Sequence, residues 1–223
     1  MSALPPILPV FPLTGSLLLP GGLLPLHIFE PRYRHMVEDA LEGSRHIGMV
    51  QPKTPNPADN RGDEDEEETP APAGAVGIYE VGCVGVIEQY QDLPFGRYLV
   101  VLQGVSRFRI QTELPQERGY RRVEADYAGF ENDLVEEAVD IPREKLLAAL
   151  RRFSDLRGVE IEIDRLSEVP PVALLNGLAM SLPLAPVEKQ ALLEAEDVVA
   201  RHSMLLALLE MGIPLDEAPT MTN

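Results

Sequence analysis

LPVFPLTGSLLLPGGLLPLHIFEPRYRHMVEDAL, residues 8–41, changes its period at Pro31. Upstream of that point Pro9, Pro12, Pro20 and Pro25 each fix φ, lack an N–H and push the preceding residue toward extended backbone, so no long helix fits there. Short strands over 8–13 and 23–29, joined by a Gly/Pro turn, are what remain. Downstream, Pro31 suits the first position of a helix, where its missing N–H costs nothing. Tyr33, Met36, Val37, Ala40 and Leu41 then recur at the spacing of one buried helical stripe. Arg32, Arg34, His35, Glu38, Asp39 and Glu42 occupy the other face, and Gly43 stands where a left-handed C-terminal cap is expected. Glu30 falls at the N-cap, where the helix dipole favours a negative charge.

Working outward, residues 45–51 (RHIGMVQ) read as a third strand, largely buried through Ile47, Met49 and Val50 and ended by Pro52. Residues 52–75 then turn proline-rich, acidic and almost free of apolar groups, which predicts a mobile loop whose ordering no buried surface would offset. A solvated insertion is the simpler reading of it and an acidic docking arm the sharper one. Residues 77–90 return to β character, with Gly82 and Gly85 marking bends. A hairpin turn over 92–96 (DLPFG) leads into 97–103 (RYLVVLQ), whose unbroken apolar centre implies burial on both faces. Residues 106–112 and 123–127 alternate apolar and polar side chains, as strands with one wet face do. Several short strands and one early helix indicate a small, strongly bent barrel or sandwich.

The period changes again near residue 132. Leu146, Leu147, Leu150 and Phe153 line one side of a helix over 142–153, with Gly158 as its stop, and further helices are expected over 171–182, 186–194 and 195–211. Pro171 and Pro186 take first-turn positions. The chain therefore divides into a β domain, 1–131, carrying the acidic loop 52–75, and a helical subdomain, 132–223. The leucines of the helical part read as core, and charged substitutions at Leu178 or Leu206 are expected to unfold it.

Composition narrows the function classes. The chain has 223 residues, 45% of them hydrophobic, enough for a real core. Its net charge is −17, with residues 63–68 supplying six of the negative charges, and it has only three lysines. Nucleic-acid binding rests on many Lys/Arg–phosphate contacts, so nucleic acid is not expected as a partner. The N-terminus lacks the basic and uninterrupted apolar regions of a secretory signal, and the apolar run 16–29 is broken by Pro20, Gly21, Gly22 and Pro25, so no membrane span is expected. A lone Cys83 suits a reducing, cytoplasmic location and reads as a small buried residue.

Reaction chemistry finds little support. No phosphate-cradling G-x-x-x-x-G-K-[ST] loop is present, and Gly21–Gly22 is followed by leucines and a proline. Ser106 lacks the setting of a nucleophile elbow. Lys189 and Ser181 are a formal Lys–Ser pair that nothing in the sequence brings together. His27, His35, His46 and His202 are scattered; His35 and Asp39 share a helix face as a surface polar pair, and no metal site or cofactor is expected.

Residues 8–41, then RHIGMVQ, YEVGCVGVIEQY and YLVVLQGVSRFRI, and finally the helical LLNGLAMSLPLAPVEKQALLEAEDVVARHSMLLALLE, together resemble the N-terminal, substrate-binding domain of Lon proteases. The IFEPRY form is similar to stand-alone members of that family and to the Lon-like region of cereblon. The resemblance extends over about residues 4–211 and implies a PUA-like pseudo-barrel followed by a helical bundle. It also implies recognition of unfolded or damaged polypeptide segments. The ATPase and serine–lysine protease modules of Lon have no counterpart in these residues, so a non-enzymatic binding module is expected. A regulator docking on a protease or another protein through its acidic loop is the alternative, with a hydrolase of scattered site residues behind it. Aromatic and arginine groups often anchor interfaces, which selects Phe29, Arg32 and Tyr33 at the helix entry and Tyr90, Leu93 and Phe95 around the hairpin. For Phe29 and Tyr33 the spacing favours the buried face of the helix over contact with a partner.

Overall fold

The computed structural model describes residues 4–53, 76–135, 139, 141–157, 166 and 168–211. The acidic run at 63–68, nearly all of the expected loop, and the Gly158 helix stop lie outside the described residues. The elements are β1 (Ile7–Pro12), β2 (Leu23–Ile28), α1 (Pro31–Glu42), β3 (His46–Val50), β4 (Val81–Leu93), β5 (Arg97–Glu117), β6 (Tyr120–Asp126), α2 (Arg143–Arg157), α3 (Pro171–Ser181), α4 (Pro186–Glu194) and α5 (Val198–Met211). This is an α+β fold.

The strands form one sheet in the order β2-β5-β4-β3-β1-β6, and β5 pairs with β6 as well. That last pairing closes β5, β4, β3, β1 and β6 into a barrel and leaves β2 as a sixth strand on β5. The β1–β3 pair is parallel; the others are antiparallel. Closure depends on the length of β5, 21 residues, whose first part lies against β2 and whose second part lies against β6. The two strands expected over 97–103 and 106–112 are thus one. It bends through register shifts against β4, where Glu88 and Val105 are the extra residues. At the second of these bends the backbones approach closely, for a β-carbon on Gly104 would collide with the Leu19 carbonyl. Residues 97–103 are not buried on both faces either: Leu99 is 42% exposed and Gln103 is also open to solvent.

Inside the barrel Leu8, Val10, Val50, Val84, Phe108 and Val123 form a compact core. Phe108 fits because β-carbons at Gly48 and Gly82 would stand 2.9 and 2.7 Å from its ring. A larger cluster runs from the other side of the sheet through α1 into the helices. Tyr33, Met36, Val37 and Ala40 are the buried stripe of α1, as the spacing predicts, and the Tyr33 ring packs on Phe11 with centroids 4.3 Å apart. The end of α1 differs from expectation. Gly43 has φ −105°, and Arg45 takes the left-handed conformation at φ 63°. Its guanidinium explains why a non-glycine residue is tolerated there: Nε and Nη2 donate to the Ile87 carbonyl at 3.2 and 3.0 Å. His35 and Asp39 do not pair with each other. Each reaches the β5–β6 turn, His35 to the Arg118 carbonyl and Asp39 to Arg118 and Tyr120.

The helices are fastened to the barrel by buried polar side chains. Arg107 on β5, 4% exposed, pairs with Asp133 at 2.9 Å and donates to the Leu193 and Ala195 carbonyls at the end of α4. Gln51 accepts from Gly15 N–H and donates to the Pro186 carbonyl, while Gln190 donates to the Val81 carbonyl. Lys189 Nζ donates to the Gly15 and Met180 carbonyls at 2.9 and 3.0 Å, which gives it a structural role. The last helix starts at Val198, three residues later than expected, because Asp197 accepts the Ala200 N–H as an N-cap. Leu178 is core, whereas Leu206 is only half-buried; Leu205 and Leu209 hold the fully buried positions of α5.

Candidate functional site

The sheet closes imperfectly next to β2. Residues 7–10 of β1 pair with β6 on one edge, while residues 10–12 pair with β3 on the other. Among the described residues, Phe11 and Pro12 therefore have no strand on the β6 side. β2 pairs only with β5, among the described residues, so its second edge is also free. Between these two open edges lies a cavity of about 350 Å³, walled by Phe11, Pro12 and Leu13 on one side and Pro25, Leu26 and His27 on the other. Phe29, Glu30, Arg32 and Tyr33 complete it at the entry to α1.

The local sequence sets this corner. Pro31 starts the helix and places Arg32 and Tyr33 in its first turn. Glu30 is at the N-cap but makes no side-chain cap; its carboxylate pairs with Arg32 at 2.8 Å instead. The Arg32 guanidinium also lies 4.6 Å from the Tyr33 ring centroid, a cation–π contact. Burial pushes the Tyr33 phenol above its ordinary value, with Arg32 pulling the other way. The result is a neutralised rim around an aromatic floor.

Alternation along β2 governs the rest. Leu23, Pro25, His27 and Phe29 point to one face and are exposed, while Leu26 and Ile28 are buried behind them. Phe29 is 60% exposed, against the expectation that it packs on the buried helix face; it belongs to the strand's outer face, where its ring lies 5.9 Å from that of His27. The pairing register sets Leu99 opposite His27 and Gln91, and Leu93 opposite Arg97, so Leu93 and Leu99 share this outer face. Tyr90 pairs with Val100 and points to the opposite face, beneath the Arg45 guanidinium. Phe95 stands at the tip of the β4–β5 hairpin, 88% exposed and held at φ 67°. The adjoining Gly96 has no side chain to spare, for a β-carbon there would collide with the Arg34 guanidinium of α1.

Of the six residues selected from sequence, Phe29, Arg32 and Tyr33 thus meet at one cavity. Leu93 lies on the same outer face as Phe29, Phe95 caps the hairpin, and Tyr90 is turned away. Sequence reasoning missed His27 and Leu99. His27, the lone polar side chain in the otherwise apolar stretch 23–29, carried a signal, but the apolar run 99–102 concealed which of its residues face water. The other chemistry-bearing groups are spent on structure. Cys83 is fully buried, its thiol pushed up by burial, and Ser106 donates to the Arg107 carbonyl within its strand. Among the described residues no three His, Cys, Asp or Glu side chains form a group able to hold a metal ion.

Comparison with known proteins bears on what such an arrangement serves. Residues 7–211 match the family model described as the substrate-binding domain of ATP-dependent protease La (Lon). Lon protease 2 of Myxococcus xanthus is 33% identical over 92% of this chain, and Lon protease of Anaeromyxobacter dehalogenans is 30% identical over 92%. The chain spans about a quarter of the length of these relatives, 24% and 23%. Among solved structures, the Lon N-terminal domain protein from Xanthomonas campestris superposes with TM-score 0.58 at 24% identity, covering 90% of this chain and 97% of that one. The N-terminal domain of Mycobacterium avium complex Lon protease does so with TM-score 0.57 at 20% identity, covering 92% and 98%. The barrel, the early helix and the helices fastened behind them are those of a family, and this chain belongs to it: the Lon substrate-binding domains.

Proposed function

We propose that this chain is a non-enzymatic module that binds unfolded or damaged polypeptide segments, and that it does so in the cytoplasm, the reducing compartment its lone buried cysteine suits. The observation that carries the reading is the apolar face of β2 and the hairpin, where exposed Phe29, Leu99 and Phe95 and half-buried Leu93 stand beside an open aromatic cavity. Folded proteins rarely leave such a face in water without a use for it. Family membership supports the same reading, since the family is named for substrate binding.

Fluorescence anisotropy with a reduced and alkylated model protein, compared with its native form, tests it. Binding of the unfolded form alone is expected. Phe29→Ser should weaken it by about tenfold, the scale of one aromatic anchor. Equal affinity for both forms, or none for either, would overturn the reading. The acidic run at 63–68 favours a second reading, an adaptor that docks by charge on a protease or another protein. Ionic strength separates the two: apolar capture should persist at about 1 M salt, where the screening length falls to about 3 Å, and a charge-led dock should not.

A further inference from the structure

We propose that β2 takes its client as an added β-strand, and that the client is an extended apolar segment flanked by basic residues. This rests on the polypeptide-binding reading above and specifies how the same site would work. The Gly104 N–H donates to the Gly22 carbonyl, which fixes the phase of the β2–β5 ladder. In an antiparallel pair such bonds recur at every second residue, so Leu24, Leu26 and Ile28 face β5. The backbone groups of Leu23, Pro25 and His27 consequently point to the open edge. Proline at one of those positions costs the ladder nothing, because the N–H it lacks would have faced outward. It does limit what can pair there. The His27 N–H and carbonyl remain as an adjacent donor and acceptor, and the cavity lies directly beyond them.

An extended backbone satisfies this edge, and strand addition is a general mode of peptide capture: main-chain bonds give affinity, and pockets for alternate side chains give selectivity. A segment paired with His27 sends every second side chain toward one face, so one apolar group can enter the cavity beside the packed Phe11 and Tyr33 rings. A second copy of this chain is a poor occupant. Two β2 edges related by a two-fold axis through Pro25 would oppose proline to proline, and each copy carries a net charge of −17. The same charge decides the flanks. Glu88 and Asp92 are exposed on β4, only two strands from β2, roughly 10 Å away. The Glu30 charge at the cavity is already matched by Arg32, so the local site is neutral within an acidic surround. Basic ends on the segment fit that surround; acidic ends do not.

The test uses the full chain and synthetic peptides of about ten residues with a Val/Leu/Phe centre, titrated by anisotropy at physiological salt. One parent has Lys/Arg ends and another Asp/Glu ends. Two further copies of the basic peptide are N-methylated at alternate amides, one at the odd and one at the even positions. Strand pairing predicts that one methylated copy loses affinity by about tenfold or more while the other stays within about twofold, since only alternate amides face β2. His27→Pro, whose lost N–H is outside the β5 ladder, should weaken the basic parent with little change in melting temperature. Equal behaviour of the two methylated copies would overturn strand addition while leaving polypeptide binding in place. Tighter or equal binding of the acidic parent would overturn the choice of flanks. Failure of every peptide, together with failure of the unfolded model protein, would instead remove the reading on which the proposal rests. Sedimentation supplies the remaining outcome: a dimer that His27→Pro dissociates would assign the edge to a second copy and overturn the client.

Discussion

Arg107 shows how much one side chain can be asked to hold. Its guanidinium is buried, stacks 4.8 Å from the Phe130 centroid, pairs with Asp133 and closes two carbonyls at the end of α4. Removing it strands a carboxylate and those carbonyls in a low-dielectric interior, so Arg107→Leu is expected to cost about 3–5 kcal/mol by denaturant unfolding. Arg109, two residues along, is the control. It lies 54% exposed and 3.7 Å from Glu80, and Arg109→Leu should stay within about 0.5 kcal/mol. In sequence the two arginines look alike, each one position of an alternating strand, and nothing local says which is inside. That difference comes from the closure of β5 onto distant helices, which no period reveals. His202 gives a second residue-scale prediction. It is buried on α5, and burial lowers its pKa below the usual imidazole value, with the Pro142 carbonyl opposing and Lys145 assisting the shift. A lowered value in the folded state means that the unfolded chain binds the proton more readily. Its contribution is therefore complete above about pH 6.5 and is lost as pH falls through the folded value. The melting temperature should fall from pH 7.5 to pH 5.5 by less in His202→Gln than in the parent, which a calorimetric pH series checks.

At the scale of elements, the β4–β5 hairpin is where stability and use part company. Phe95 sits at φ 67°, a region disfavoured for residues with a β-carbon by about 1–2 kcal/mol, and its ring meets mostly water. A residue kept there for the fold alone would be glycine or asparagine. Phe95→Gly should hold or raise the unfolding free energy by up to about 1 kcal/mol while weakening capture of unfolded protein; a loss of stability with intact capture would reverse that assignment. The helices offer a sharper contrast. Leu205→Asp buries a charge at a fully enclosed position of α5 and should prevent folding, whereas Leu206→Asp, at a half-buried position, should melt measurably lower and still fold. Element existence and order were legible throughout, because proline placement and the change from period two to period 3.6 at Pro31 are local facts. The merging of two expected strands into β5 was not. A bulge at Val105 lets one strand pass a glycine and keep going, and the sequence shows only the glycine. The same holds for Arg45, whose left-handed backbone is held by a carbonyl forty-two positions away.

For the molecule as a whole, the strands lie before residue 131 and α2 to α5 after it, and packing is continuous between them. Hydrophobic contact continues from the sheet through α1 into α3, α4 and α5 as a single cluster. Arg107, Gln51, Lys189 and Gln190 each make a buried polar tie that joins residues before 132 to residues after it, and Asn176 adds another by donating to the Pro20 carbonyl. Half of the candidate site was legible because Phe29, Arg32 and Tyr33 are neighbours along the chain. The cavity was not, since it exists only where β1 and β2, unpaired with each other, face across an unclosed wall. That wall leans on the helices: the 14–22 turn feeding β2 is held by Lys189 at Gly15 and by Asn176 at Pro20. We propose that the β and helical halves are two architectural units of one cooperative unit. The full chain should then unfold in one transition, with calorimetric and van't Hoff enthalpies agreeing. A fragment ending at residue 131 would expose the apolar back of the sheet and leave the Arg107 charge and the Val81 carbonyl without their partners. It should show no sharp melt, and amide dispersion in an NMR spectrum should collapse for β1 and β2 first. A fragment that melts cooperatively within about 10 °C of the full chain would mean that the barrel, with its client edge, stands alone and that the helices serve some other purpose than holding it open.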